Sequence, residues 1–147
     1  MRKIFFDMDG TIANLYGVPT WLDDIVARET RPYEIAKPMV DVNDFVNALN
    51  ELKKIGYEIG IITWLAKCND KNYNKRVAIA KREWLAKTFN FEFDEIIIAT
   101  YGLPKQAFGT DNDILFDDEK PNREKWIGKA YDVNDIVKNL KKIAKRG

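Results

Sequence analysis

The sequence contains no histidine and only one cysteine, Cys68. Without imidazole there is no Ser-His-Asp or Cys-His nucleophile, no histidine-based phosphotransfer and no metal site resting on ring nitrogen. A lone thiol cannot close an internal disulfide, which fits a reducing compartment, and it would be the only thiolate in any zinc site. Long apolar runs are missing as well. No stretch approaches the roughly eighteen apolar residues of a membrane span, and the opening Met1-Arg2-Lys3 leads into a short strand rather than a signal segment. A dominant charge sign is also lacking: 24 basic against 23 acidic side chains leave a net charge of +1, which argues against a protein that coats nucleic acid or a membrane surface. The expectation is a soluble, cytoplasmic protein whose chemistry rests on carboxylates, lysines, hydroxyls and backbone amides.

What is present is the material of one domain. At 147 residues, nearly half of them apolar, the chain can bury one sizeable core but not two. Lys3 to Phe6 read as a buried strand. Residues 13–40, broken by Pro19, Pro32 and Pro38, read as a small inserted lid with a short helix around Thr20 to Arg28. Asp41 caps a predicted helix whose apolar positions Val42, Phe45, Val46, Leu49, Leu52 and Ile55 recur at helical spacing until Gly56. A strand over Tyr57 to Thr63 follows, then a basic amphipathic helix from about Asn74 to Thr88 burying Val77, Ala80, Trp84 and Leu85. Further strands are predicted over Glu95 to Ala99 and Asp113 to Asp117, and a last helix around Ile136 to Ala144. Strands alternating with helices predict an α/β, Rossmann-like three-layer fold with a mostly parallel central sheet.

Chemistry gathers where these strands end. The first ends in Asp7 and Asp9, followed by Gly10 and Thr11; the second ends in Thr63; the strand at Ile114 to Phe116 ends in Asp117 and Asp118; Lys105 lies in the loop after Ile96 to Ile98. In a parallel sheet all these ends share one edge, where open α/β sheets bind their ligands. Carboxylates brought that close repel unless a cation, a proton or N–H donors offset them, so the pattern points to a site for phosphate and magnesium. Lys67, Lys71 and Lys120 are competitors for the role given to Lys105. The remaining basic residues, including Lys75, Arg76, Lys81, Arg82 and Lys87 of the amphipathic helix, are expected on solvated faces.

These motifs resemble those of the haloacid dehalogenase-like superfamily of phosphohydrolases: the Asp-x-Asp-Gly-Thr loop at Asp7 to Thr11, a strand ending in Thr63, a lysine at Lys105, and the acidic pair Asp117 and Asp118. The likeness spans nearly the whole chain. Within the superfamily, the short lid and the Phe-Asp-Asp-Glu ending look like small phage or bacterial members related to 5'(3')-deoxyribonucleotidases. The layout is also comparable to the 3'-phosphatase domain of phage polynucleotide kinase.

The resemblance implies that Asp7 is the nucleophile and that Asp9 is the general acid and base. It implies Mg2+ held by the Asp7 carboxylate, the Asp9 backbone carbonyl and the pair Asp117 and Asp118, with Asp118 favoured as the direct ligand. Thr63, the Trp64 amide and Lys105 would hold phosphoryl oxygens, while Gly10 and Thr11 shape the turn beside them. Tyr16, Trp21, Tyr33, Trp64 and Tyr101 can stack on a base or sugar, although any one of them taken singly is expected to pack the lid. Arg28 and Arg31 can meet a second phosphate. The expected activity is hydrolysis of a small phosphomonoester, foremost a (deoxy)nucleotide monophosphate. The alternatives are a phosphatase for nucleic-acid 3' ends or another macromolecular phosphoester, and a catalytically silent phosphate-binding module.

Overall fold

Alternating large apolar residues at the strand positions form a sheet with two unlike faces. In the computed structural model, which describes residues 2–146, five parallel strands take the order β3-β2-β1-β4-β5. They are β1 (Arg2–Phe6), β2 (Tyr57–Trp64), β3 (Glu95–Ala99), β4 (Ile114–Phe116) and β5 (Lys129–Tyr131). The helices are α1 (Trp21–Val26), α2 (Arg31–Ile35), α3 (Val42–Lys54), α4 (Lys71–Phe89), α5 (Lys120–Lys125) and α6 (Ile136–Arg146), giving an α/β Rossmann-like architecture.

Ile4, Phe6, Ile59, Ile61, Ile114 and Phe116 point to one face, where Phe45 and Leu49 of α3, Trp84 and Leu85 of α4, and Leu140 and Ile143 of α6 cover them. The ring of Phe6 stacks on Phe116 at 5.0 Å and meets the edge of Phe45 at 5.1 Å. Phe5, Ile62 and Leu115 point to the opposite face, which is closed by Trp126 and Phe108 and carries the thinner layer. This period-two alternation is what a strand buried on both faces requires.

Local signals set the element ends. The Asp41 side chain accepts the Asp44 N–H at 3.0 Å at the start of α3, a cap that typically contributes about 1 kcal/mol. Gly56, at φ 102°, turns the chain after it. Helix α4 begins earlier than its apolar spacing predicts, because the Asp70 side chain accepts the Tyr73 N–H at 2.9 Å. Beyond the 13–40 segment, helix α5 and strand β5 escape the sequence reading. Helix α5 contains no large apolar residue, so helical periodicity has nothing to register, and β5 is a three-residue edge strand that owes its form to pairing with β4.

The 13–40 segment leaves and re-enters the fold at one seam. Ala13 bridges both Asp9 and Pro38, Asn14 N–H donates to the Lys37 carbonyl, and Met39 N–H donates to the Ile12 carbonyl. It holds α2 in addition to the short helix expected there. Side chains of α4 pin it from beneath: Trp84 Nε1 donates to the Ala36 carbonyl at 2.7 Å, the Tyr73 hydroxyl to the Glu29 carbonyl at 2.8 Å, and Arg76 to the Arg28 carbonyl at 3.2 Å. Among the described residues, no helix is long and apolar enough to cross a membrane.

Candidate active site

Register brings the acids together. Because Phe6 pairs with Phe116 across β1 and β4, the next residues, Asp7 and Asp117, leave the sheet side by side; the Asp7 N–H donates to the Phe116 carbonyl at 2.9 Å. One carboxylate oxygen from each of Asp7, Asp117 and Asp118 falls within 4.8 Å of the others. Thr11, wholly buried, ties the two loops: its hydroxyl lies 3.0 Å from Asp7 Oδ2 and 3.2 Å from Asp118 Oδ1, and it accepts the Asp118 N–H at 3.1 Å.

Lys105, on a 3-10 turn over Lys105–Phe108, reaches into this group. Its Nζ donates to Asp7 Oδ1 at 2.9 Å and to Asp117 Oδ2 at 2.7 Å. Of the competing lysines, Lys120 pairs with Glu124 on the surface and Lys67 lies over the Tyr101 ring. Asp117 is fully enclosed, and both of its oxygens are engaged, Oδ1 by the Glu119 N–H and Oδ2 by Lys105 and Asn122. It is placed to support Lys105, while Asp118 keeps an oxygen freer for a cation.

Gly10 is required by this packing. Its φ of 84° lies in the left-handed region, and a Cβ there would run into the Asp118 carboxylate, 2.8 Å from its Cγ.

The electrostatics follow from burial and crowding. Burial, then the Asp7 charge and a hydrogen bond toward Asp7, push the Asp118 carboxyl up to about 8. Burial and the Asp7 charge also raise Asp117, against the opposing pull of Lys105. Burial works against the Lys105 ammonium, yet the Asp7 and Asp117 carboxylates hold it above the usual lysine range. Four carboxylates, counting Asp9, thus face two ammonium groups, Lys105 and Lys81. The all-oxygen donor set of Asp7, Asp117 and Asp118, crowded enough to favour protonation where no cation is held, fits a hard divalent cation such as Mg2+.

Lys81 is the residue that sequence reasoning misplaced. It is not on a solvated face: it is 1% exposed, and its Nζ donates to Asp9 Oδ2 at 2.9 Å, Thr63 Oγ1 at 2.7 Å and the Trp64 carbonyl at 2.7 Å. The signal was available, since Lys81 falls four residues after Val77 and three before Trp84, on the buried stripe of α4. Its basic neighbours Lys75, Arg76, Arg82 and Lys87 are exposed as expected. Burial raises the Asp9 carboxyl above its ordinary range, with the Lys81 charge opposing. The Asp9 carboxylate lies outside the three-acid cluster, turned toward Lys81.

A cavity of about 360 Å³ opens above these groups. Asp7, Asp9 and Lys105 reach its wall, and Tyr16, Trp21, Tyr33, Trp64 and Tyr101 all line it. Trp64 is held by its Nε1, which donates to the Leu103 carbonyl at 2.8 Å, and by an edge contact with Tyr101 at 5.1 Å. Tyr16 meets Trp21 edge-on at 5.0 Å. The Tyr16 and Tyr33 phenols are pushed above their ordinary range by burial and by the Asp9 charge, so they remain O–H donors. Arg28 lies on the wall; Arg31 does not, and pairs with Asp24 instead. Thr63 is fully enclosed and off the wall, its hydroxyl oxygen occupied by Lys81.

No protein-family model matches the chain, and a search among curated proteins finds no match. Among solved structures, the fold is similar to that of a D,D-heptose 1,7-bisphosphate phosphatase from Burkholderia thailandensis, at a TM-score of 0.49 and 12% identity, with 84% of this chain and 70% of that chain covered.

Proposed function

We propose that this chain is a magnesium-dependent phosphomonoester hydrolase working through an aspartyl-phosphate, with a nucleoside monophosphate as substrate. The meeting of Asp7, Asp117, Asp118 and Lys105, with Asp7 and Lys105 reaching the cavity wall and the other two packed against them, supports it above all, because these are the groups that in-line phosphoryl transfer to a carboxylate requires. The motif resemblance to haloacid dehalogenase-like phosphohydrolases points the same way.

In the first half-reaction an Asp7 oxygen forms a bond to phosphorus as the bond to the leaving oxygen breaks, and Asp9 delivers a proton to that oxygen. In the second, Asp9 takes a proton from water as the water attacks phosphorus and the bond to Asp7 breaks. Acid-base assistance of this kind contributes roughly 10²–10⁴ in rate. Lys105 holds the nucleophile's orientation and offsets negative charge beside it. Asp7, Asp118 and the Asp9 carbonyl would hold Mg2+, with Asp117 behind them; when bound, the ion supplies charge neutralisation and alignment of the phosphoryl oxygens.

The choice of leaving group rests on the wall. Above the charged floor it is largely aromatic and apolar, with Trp21, Leu22, Ile25, Trp64 and Tyr101 prominent. Such a surface suits a flat nucleoside, where each stacked base typically gains about 1–3 kcal/mol. The Tyr16 and Tyr33 hydroxyls and Arg28 on the same wall can meet the polar groups of the sugar.

The test is phosphate release from nucleoside monophosphates, sugar phosphates and a 3'-phosphorylated oligonucleotide, with and without magnesium, for wild type and Asp7→Asn. Turnover of mononucleotides, lost in the variant and without magnesium, is expected. Preference for the oligonucleotide would move the reading to nucleic-acid ends. No release from any substrate would leave a phosphate-binding module.

A further inference from the structure

An ammonium has three N–H donors and no acceptor. Each of the three Lys81 donors has an oxygen to meet: Thr63 Oγ1, the Trp64 carbonyl and Asp9 Oδ2. The first two belong to the end of β2 and are fixed by the sheet, with Trp64 in register with Ala99 of β3. They set where Nζ sits. The Tyr33 ring, brought by α2, lies 5.4 Å from Nζ and closes the remaining side. Only the third N–H reaches a group without strand support, because Asp9 lies in the loop beyond β1 and its side chain is 18% exposed. Among the described residues no other donor bonds the Asp9 carboxylate.

We propose that Lys81 is a positioning residue that clamps Asp9 by Oδ2 and leaves Oδ1 as the oxygen that carries the proton to and from substrate, with Thr63 and the Trp64 carbonyl serving as its anchor. This rests on the hydrolase reading above, and it gives Thr63 a role through Lys81 rather than on the phosphate. Asp9 Oδ1 gives its proton to the leaving oxygen as the P–O bond breaks and regains one from water in the second half-reaction.

A clamp on the general acid has a signature that loss of packing lacks. An alcohol leaving group needs the proton, whereas dinitrophenolate departs without one. The experiment compares kcat/KM for a nucleoside 5'-monophosphate and for 2,4-dinitrophenyl phosphate, in magnesium, using the full chain and its Lys81→Met variant. The expected result is a loss of roughly 100-fold or more on the nucleotide and less than about fivefold on the aryl ester, the range set by general-acid assistance. Asp9→Asn should show the same asymmetry, and Asp7→Asn should lose both activities.

Equal losses on the two esters, or no loss on either, would overturn the proposal. Should Lys81→Met not fold, Thr63→Val removes one anchor and is expected to show the asymmetry at smaller amplitude; a symmetric loss there overturns it too. A wild type inactive on both esters overturns the hydrolase reading and this inference together, whereas an active wild type with symmetric variant losses overturns the inference alone.

Discussion

Replacing Lys105 with methionine keeps the reach of the side chain and deletes its charge. In the folded protein that charge is 3% exposed and sits between Asp7 at 2.9 Å and Asp117 at 2.7 Å, which are 9% and 0% exposed. Removing one member of a buried ion pair costs about 3–5 kcal/mol, because the partner is left charged and unsolvated. Against a total stability of about 5–15 kcal/mol this is large. At about 2–4 °C per kcal/mol for a domain of this size, the melting temperature in EDTA at pH 8 should fall by about 6–20 °C.

The deficit depends on ionised carboxylates, so it should be smaller at pH 5, on the side of the protonated form that burial already favours at Asp117. Magnesium should recover part of the loss by bringing positive charge to the same oxygens. Differential scanning calorimetry of wild type and Lys105→Met at both pH values, with and without magnesium, measures all of this. A fall under about 3 °C, or one identical at pH 5 and pH 8, would refute the reasoning that Lys105 neutralises buried charge.

Two further outcomes follow from the same geometry. Gly10→Ala forces a left-handed φ, costing about 1–2 kcal/mol, and drives a methyl into Asp118. Magnesium affinity by calorimetric titration should drop about 10–100-fold, a size typical when the support of a metal ligand is disturbed. The Asp118 carboxyl, displaced from 3.8 to about 8, remains protonated in the metal-free fold below about pH 8. Its folded value exceeds its unfolded one, so the stability it contributes is present below about pH 4 and is lost as pH rises to about 8. Cation binding must release that proton, so magnesium affinity should rise with pH and level off above about 8, as titrations between pH 6 and 9 will read.

The acids and the sheet were legible because they obey simple rules. Apolar strands ending in Asp7 and Asp117 must bring these residues to one edge if the strands are parallel, and Lys105 reaches them from the loop after β3. Helix α3 was legible from Asp41 and its apolar repeat.

Lys81 escaped because a lysine on a basic helix is read by charge before position, although its place between Val77 and Trp84 put it on the buried stripe. Thr63 was read from its strand end alone, which cannot tell that a lysine from the next helix has taken its hydroxyl. The aromatic wall was legible as residue types but not as one surface. That depends on how α4 pins the 13–40 segment through Tyr73, Arg76 and Trp84, contacts that link residues far apart in sequence.

The most direct measurement is Mn2+ binding by electron paramagnetic resonance, with Mn2+ standing in for Mg2+, on wild type, Asp7→Asn and Asp118→Asn at pH 8. One bound ion per wild-type chain is expected, displaced by excess Mg2+ and severely weakened in both variants. No bound ion in wild type, or binding that both substitutions leave intact, would contradict a cation site at Asp7 and Asp118.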